Sequence, residues 1–94
     1  MAPIGRPASL GDWQKLMDSI YGEKDRSHYS PGDLLLHVVG QSGKVAKGLR
    51  KDSREEILEA LPTMFAWLLA FCSMSSVALE ETVWEKYQGL CPYC

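Results

Sequence analysis

Apolar residues recur along this chain at helical spacing, and a polar cap marks where most of the runs begin. Trp13, Met17 and Ile20 fall on one stripe of a first helix expected over about residues 10–21, with Gly22 close to its C-terminal end. Leu35, Val38, Val39, Ala46 and Leu49 stripe a second helix over about 32–51. A third, about 54–74, is apolar almost all round, with Ile57, Leu58, Leu61, Met64, Phe65, Trp67, Leu68, Leu69, Phe71 and Cys72. A helix with so little polar face is expected to be covered on both sides, which in a chain of this size implies a subunit interface. The fourth starts between Ser76 and Leu79 and runs to about Tyr87, burying Val83 and either Leu79 or Trp84. No segment alternates with a period of two, so no strand is expected.

Ser9 with Asp12, Ser30 with Pro31 and Asp33, and Ser53 with Glu56 each place a capping hydroxyl three residues before an acid. The second helix also holds Gly40, Gly43 and Gly48, each costing about 1 kcal/mol relative to alanine, so a neighbouring backbone is expected to approach closely there. Pro62 removes one backbone hydrogen bond from the third helix and is expected to bend it.

Length and charge narrow the picture. The 94 residues make one helical domain over 9–90, behind a loose lead-in of 1–8 and ahead of a Cys-Pro-Tyr-Cys tail at 91–94. Chains this short bury only about 60–65% of their unfolded surface, which favours association. Ten Lys plus Arg against twelve Asp plus Glu leave a net charge of −2, so no bulk electrostatic attraction to long nucleic acid or to a membrane is expected. The lead-in has two prolines and no apolar core of a signal peptide, and the apolar stretch 61–72 is read as too short to span a bilayer. With an odd number of cysteines as well, the expected location is the cytoplasm.

Three local motifs invite chemistry. Gly40-Gln41-Ser42-Gly43-Lys44-Val45 is not a Walker loop, because only two residues separate the glycines and valine follows the lysine. Cys72 reads as a small core residue. Cys91 and Cys94 have the spacing of half a zinc site, so two tails from two subunits would make a four-cysteine site; a disulfide and an inert tail stand beside that reading.

The central helices, with Leu34-Leu35-Leu36-His37-Val38-Val39-Gly40-Gln41 in one and Glu59-Ala60-Leu61-Pro62-Thr63 ahead of Trp67-Leu68 in the other, resemble the all-helical MazG-type nucleotide pyrophosphohydrolases. Further likeness lies in Leu10 to Gln14, in Ile20 to Arg26, in Leu49-Arg50-Lys51, and in Leu79-Glu80-Glu81, Trp84 to Tyr87 and the closing cysteines, so that about residues 9–94 are covered. The resemblance implies an all-α, four-helix MazG-like bundle, completed by homo-oligomerisation into a dimer or tetramer. It also implies that the family's metal-binding carboxylates would fall on His37, Val38 and Gln41 in one helix and on Ala60 and Thr63 in the next, with Glu59 immediately before a ligand position. None of those five is a carboxylate. Magnesium is a hard ion anchored by carboxylates and phosphates, and histidine suits softer metals. The expectation is therefore a vestigial site with no catalytic residue, no cofactor, and lost magnesium-dependent hydrolysis.

Three functions follow as expectations. One is retained binding of a nucleotide or other phosphate ligand, with Lys47, Arg50, Lys51 and Lys86 facing phosphates and Trp67 or Trp84 stacking on a base. Another is a purely structural oligomeric interaction module whose groove is filled by Val38, Ala60 and His37. The last is an active hydrolase whose magnesium site is rebuilt from Glu55, Glu56 and Glu59.

Overall fold

A computed structural model describes residues 5–93 and folds them into four helices: α1 (Leu10–His28), α2 (Pro31–Arg50), α3 (Arg54–Met74) and α4 (Leu79–Lys86). The protein is all-helical, with no strand among the described residues. The first four residues of the expected lead-in, and Cys94 of the expected tail, lie outside the described residues.

The three capped starts form as the pattern predicts. Asp12 N–H donates to Ser9 Oγ at 3.0 Å and Glu56 N–H to Ser53 Oγ at 3.3 Å. At α2 the box is reciprocal: Asp33 N–H donates to Ser30 Oγ at 3.2 Å, and Ser30 N–H donates to Asp33 Oδ2 at 2.8 Å. That backbone donor, with the Ser30 hydroxyl second, holds the Asp33 carboxyl below the usual carboxylate range.

One boundary differs from the expectation. α1 does not stop near Tyr21 but continues to His28. Gly22 is an interior packing glycine rather than a C-cap. It is buried beneath an ion pair between Asp18 and Arg26, 2.9 Å apart, and a Cβ there would collide with Asp18 Oδ1.

α2 and α3 form a hairpin joined by three residues, and their seam is the most extensive contact in the molecule. Gly48 lets it close: an added Cβ would stand 2.9 Å from Ile57 Cγ1 and 3.2 Å from the Ser53 carbonyl oxygen. The expectation of close approach fails at Gly40 and Gly43, where a Cβ would meet nothing within 4 Å, because they lie on the exposed side of α2.

Both ends of the α3 region close with left-handed residues. Asp52 has φ 54°, with Ser53 N–H donating to Gly48 O at 2.8 Å and Asp52 N–H to Leu49 O at 3.2 Å. Ser76 has φ 57°, with Val77 N–H donating to Cys72 O at 2.8 Å and Ser76 N–H to Ser73 O at 3.2 Å. Each pair of bonds is a Schellman motif, a position that glycine fills with least strain.

α1 lies across α3, with Trp13 edge-on to Phe65 at 6.2 Å. Gln14 then staples the turn before α4: its Nε2 donates to Val77 O at 2.7 Å and to Ser73 Oγ at 3.3 Å, while its Oε1 accepts from Leu79 N–H at 3.1 Å. α4 is held at its first turn only, so Val83 (42% exposed) and Trp84 (60%) stay in solvent and Leu79 is half-buried, contrary to the buried face expected of it.

The enclosed apolar core is small. Among the described residues it comprises Leu34, Ala60, Leu69 and Cys72. α3 is the central helix, packed by α2 on one side and α1 on another, but Leu58 and Leu61 remain exposed, so its cover within one chain is incomplete. It runs unbroken through Pro62 for 21 residues. With a mean hydropathy of 1.6 over an 18-residue window it is long and apolar enough, by length and composition, to cross a bilayer. The expectation that its apolar run is too short to span is thereby corrected, because the helix includes Pro62 and Thr63 and extends well before them.

Replacing Ser76 by glycine removes the strain of a left-handed serine without touching a side-chain hydrogen bond. The change should stabilise the fold by about 1 kcal/mol, raising the melting temperature by about 4–8 °C; an unchanged or lower value would show that the turn is not so strained.

Candidate functional site

The α2–α3 hairpin sets opposing residues along its length. Gln41, Lys44 and Lys47 recur every three residues on α2 and so share a face; Glu56, Glu59, Ala60 and Thr63 answer from α3. Together they line a cleft of about 380 Å³. Four of the residues expected at the vestigial site, Gln41, Glu59, Ala60 and Thr63, are thus brought together, with Ala60 buried at the floor. Gln41 and Lys44 also line a shallower hollow with Leu36, His37 and Gly40, so the two depressions adjoin along α2.

His37 is fixed from two directions. Its Nδ1 lies 2.8 Å from the Asp33 carbonyl oxygen one turn back, which makes Nδ1 the protonated nitrogen of the neutral ring. Its ring stacks on Trp67 with centroids 4.1 Å apart and planes 26° apart, and Tyr29 meets both edge-on at 5.3 and 5.8 Å. Trp67 is therefore engaged by an imidazole on α2. Val38, the remaining expected position, is half-buried and does not line the cleft.

The charges in the cleft are mixed. Lys44 and Lys47 face Glu56 and Glu59, but Glu56 is drawn aside by Lys51, 3.7 Å away. Two ammonium groups then face one uncommitted carboxylate. Thr63 spends its hydroxyl hydrogen on the Glu59 carbonyl at 3.1 Å, leaving its oxygen able to accept. The acids that line the cleft are Glu56 and Glu59; Glu55 is exposed outside it, so the three acids of a rebuilt magnesium site are not brought together. The lysine ammonium groups and the Gln41 amide in the same cleft can all donate to an anion.

Of the lysines and arginine expected to face phosphates, Lys47 alone lines this cleft. Arg50 and Lys51 sit at the exposed C-terminal end of α2, and Lys86 lies over the rings of Tyr87 (5.6 Å) and Tyr93 (5.0 Å) beyond α4. Trp84 is on α4 and Cys91 is exposed after it; the second cysteine of the proposed zinc pair, Cys94, is outside the described residues. Burial pushes the Cys72 thiol up, as suits a core residue.

Two residues escaped the sequence reading. Lys44 was set aside with the rejected phosphate-loop string, although its spacing of three from both Gln41 and Lys47 marks the shared face. Asp25 lies beyond the expected end of the first helix, yet it is 6% exposed on α1. Met17, Tyr21 and Asp25, four apart, carry the signal for it once α1 is allowed to continue.

Compared with protein-family models, with curated proteins and with solved structures, the chain matches none.

Burial pushes the Asp25 carboxyl above the ordinary carboxylate range, against the opposing pull of Lys24, Arg26 and His37. Folding thus favours its protonated form, a contribution fully present below the unfolded value near 3.8 and lost as pH rises through the higher folded value. Asp25→Asn cannot ionise, so it should melt above the unmodified protein at pH 7, with the gap closing as pH falls towards about 4. A gap independent of pH would contradict the assignment.

Proposed function

We propose that this chain is a MazG-like helical module, acting in the cytoplasm, that does not hydrolyse nucleotides, associates with copies of itself, and holds a phosphate-bearing ligand, a nucleotide first of all, in the α2–α3 cleft. The observation that carries the ligand reading is the pairing of Lys44 with Lys47 in the same cleft as Gln41, Ala60 and Thr63, at positions where the resemblance would call for magnesium-binding acids. Ammonium groups there attract phosphate directly, with no metal between. The hydrolase alternative needs Glu55, Glu56 and Glu59 together, and only two of them line the cleft. Long nucleic acid is not the partner in this reading, because the chain's net charge of −2 offers no extended basic surface.

Self-association is supported by the outer face of α2. Leu36 is 68% exposed and Val39 59%, and beside them Gly40 and Gly43 leave open space in which a second helix can approach closely. That same face favours the second reading, a purely structural oligomer with no small ligand.

Calorimetric titration with a panel of nucleoside triphosphates, with and without magnesium and with pyrophosphate followed in the same mixtures, separates these readings. Binding without pyrophosphate release is expected, and replacing both Lys44 and Lys47 by alanine should weaken it by about tenfold or more. Silence in both signals would leave the structural module; magnesium-dependent pyrophosphate release would restore the hydrolase. In light scattering the chain should show a mass above its 10.5 kDa monomer. Leu36→Lys with Val39→Lys should return it to monomer, and a monomeric parent would refute self-association.

A further inference from the structure

A second hollow, of about 370 Å³, lies between α1 and α3 and shares only Thr63 with the α2–α3 cleft. Its walls are apolar or aromatic, Met17, Tyr21, Pro62, Ala66 and Trp67 among them, and its one charged residue is Asp25. Asp25 is the buried charged residue of the described chain, 6% exposed overall, and its carboxylate oxygens, which accept no hydrogen bond, remain open to solvent, since no buried side-chain oxygen among the described residues lacks a partner. Of the groups near it, Arg26 is committed to Asp18 at 2.9 Å, Lys24 is exposed, and the His37 ring is stacked on Trp67 with its Nδ1 on the Asp33 carbonyl. Asp25's main-chain carbonyl accepts from Tyr29 N–H at 2.8 Å, which secures the helix end and leaves the side chain idle.

Most of the residue is withdrawn from water while its carboxylate oxygens stay accessible, so a cation brought to them from the hollow meets an acid that is only partly solvated. Aromatic walls complement the same ligand, since a cation is attracted to the faces of tryptophan and tyrosine. Tyr21 is half-exposed and gives the hollow an accessible wall, while Trp67 is held in place by the stacked His37 ring on α2. An anion would be repelled by Asp25, so the hollow does not serve the ligand proposed for the α2–α3 cleft.

We infer that this hollow binds a small organic cation, an ammonium group seated against the Asp25 carboxylate with its hydrocarbon body between the apolar walls. Recognition is by charge and aromatic contact, with no bond made or broken. The class is a primary amine on an aryl or alkyl frame, because the hollow pairs apolar and aromatic walls with a single acid.

The test uses the full chain with benzylammonium as probe and benzyl alcohol as its uncharged counterpart, followed by calorimetry and by amide shifts in NMR. Benzylammonium should bind with a Kd on the order of 1 mM and shift residues 17–25 and 62–70. Benzyl alcohol should bind about tenfold more weakly. Asp25→Asn should erase that difference, and Tyr21→Ala, at an exposed position that leaves the fold intact, should weaken the cation about two- to fivefold. Equal binding of the two probes, shifts elsewhere on the chain, or no saturable binding of either would overturn the inference without recourse to a variant.

Discussion

The close seam between α2 and α3 at Gly48 is the contact on which the rest of the molecule depends. Without a side chain there, Ile57 and the Ser53 carbonyl come within van der Waals range of the α2 backbone, and the register of the hairpin is set. That register decides what faces what along the whole pair. It puts Gln41, Lys44 and Lys47 opposite Glu56, Ala60 and Thr63, and it brings His37 against Trp67 further along. The Schellman turn through Asp52 completes the same joint from the loop side, so cleft and aromatic stack both follow from one tight crossing.

What the seam does not do is enclose enough apolar surface. Four buried apolar residues among those described are few for a chain of 94, and the radius of gyration of 15.0 Å exceeds the roughly 12 Å expected of a compact domain this long. α4 stands at the margin, fastened by Gln14 and by the Glu80 carboxylate that accepts from Gly11 N–H at 3.2 Å, with its apolar residues outside. Exposed Leu35, Leu36, Val39 and Leu49 on α2, with Leu58 and Leu61 on α3, make the isolated chain an incomplete unit. In our reading a second copy supplies the missing cover. The same shortage explains why α3, though apolar enough to cross a bilayer, is only partly enclosed here.

Much of the fold was legible because its signals are local. A capping hydroxyl three residues before an acid is chemistry within one turn, and all three such starts stand where the pattern put them. The bounds of α3 follow from its cap and its apolar run. Glycine was harder, because its meaning depends on what lies across from it: Gly48 faces a neighbour, Gly40 and Gly43 face open space, and Gly22 lies beneath an ion pair inside α1 rather than ending it. Site geometry was legible in part. The resemblance grouped Gln41 with Thr63 and Glu59, and a spacing of three puts Lys44 on the face of Gln41 and Lys47, but no spacing rule says that Arg50, Lys51 and Lys86 lie away from the cleft. Asp25 falls on the stripe of Met17 and Tyr21 once α1 continues, but burial of a lone acid is decided by the helix that packs over it.

The central claim, that the α2–α3 cleft holds phosphate without cutting it, is tested most directly by residue-resolved amide NMR while a non-hydrolysable nucleoside triphosphate is added to the full chain. The account predicts saturable shifts confined to residues 41–47 and 56–63, in the absence of magnesium and unchanged by its addition. Shifts that require magnesium, or that cluster on α4 and the residues after it, would contradict it.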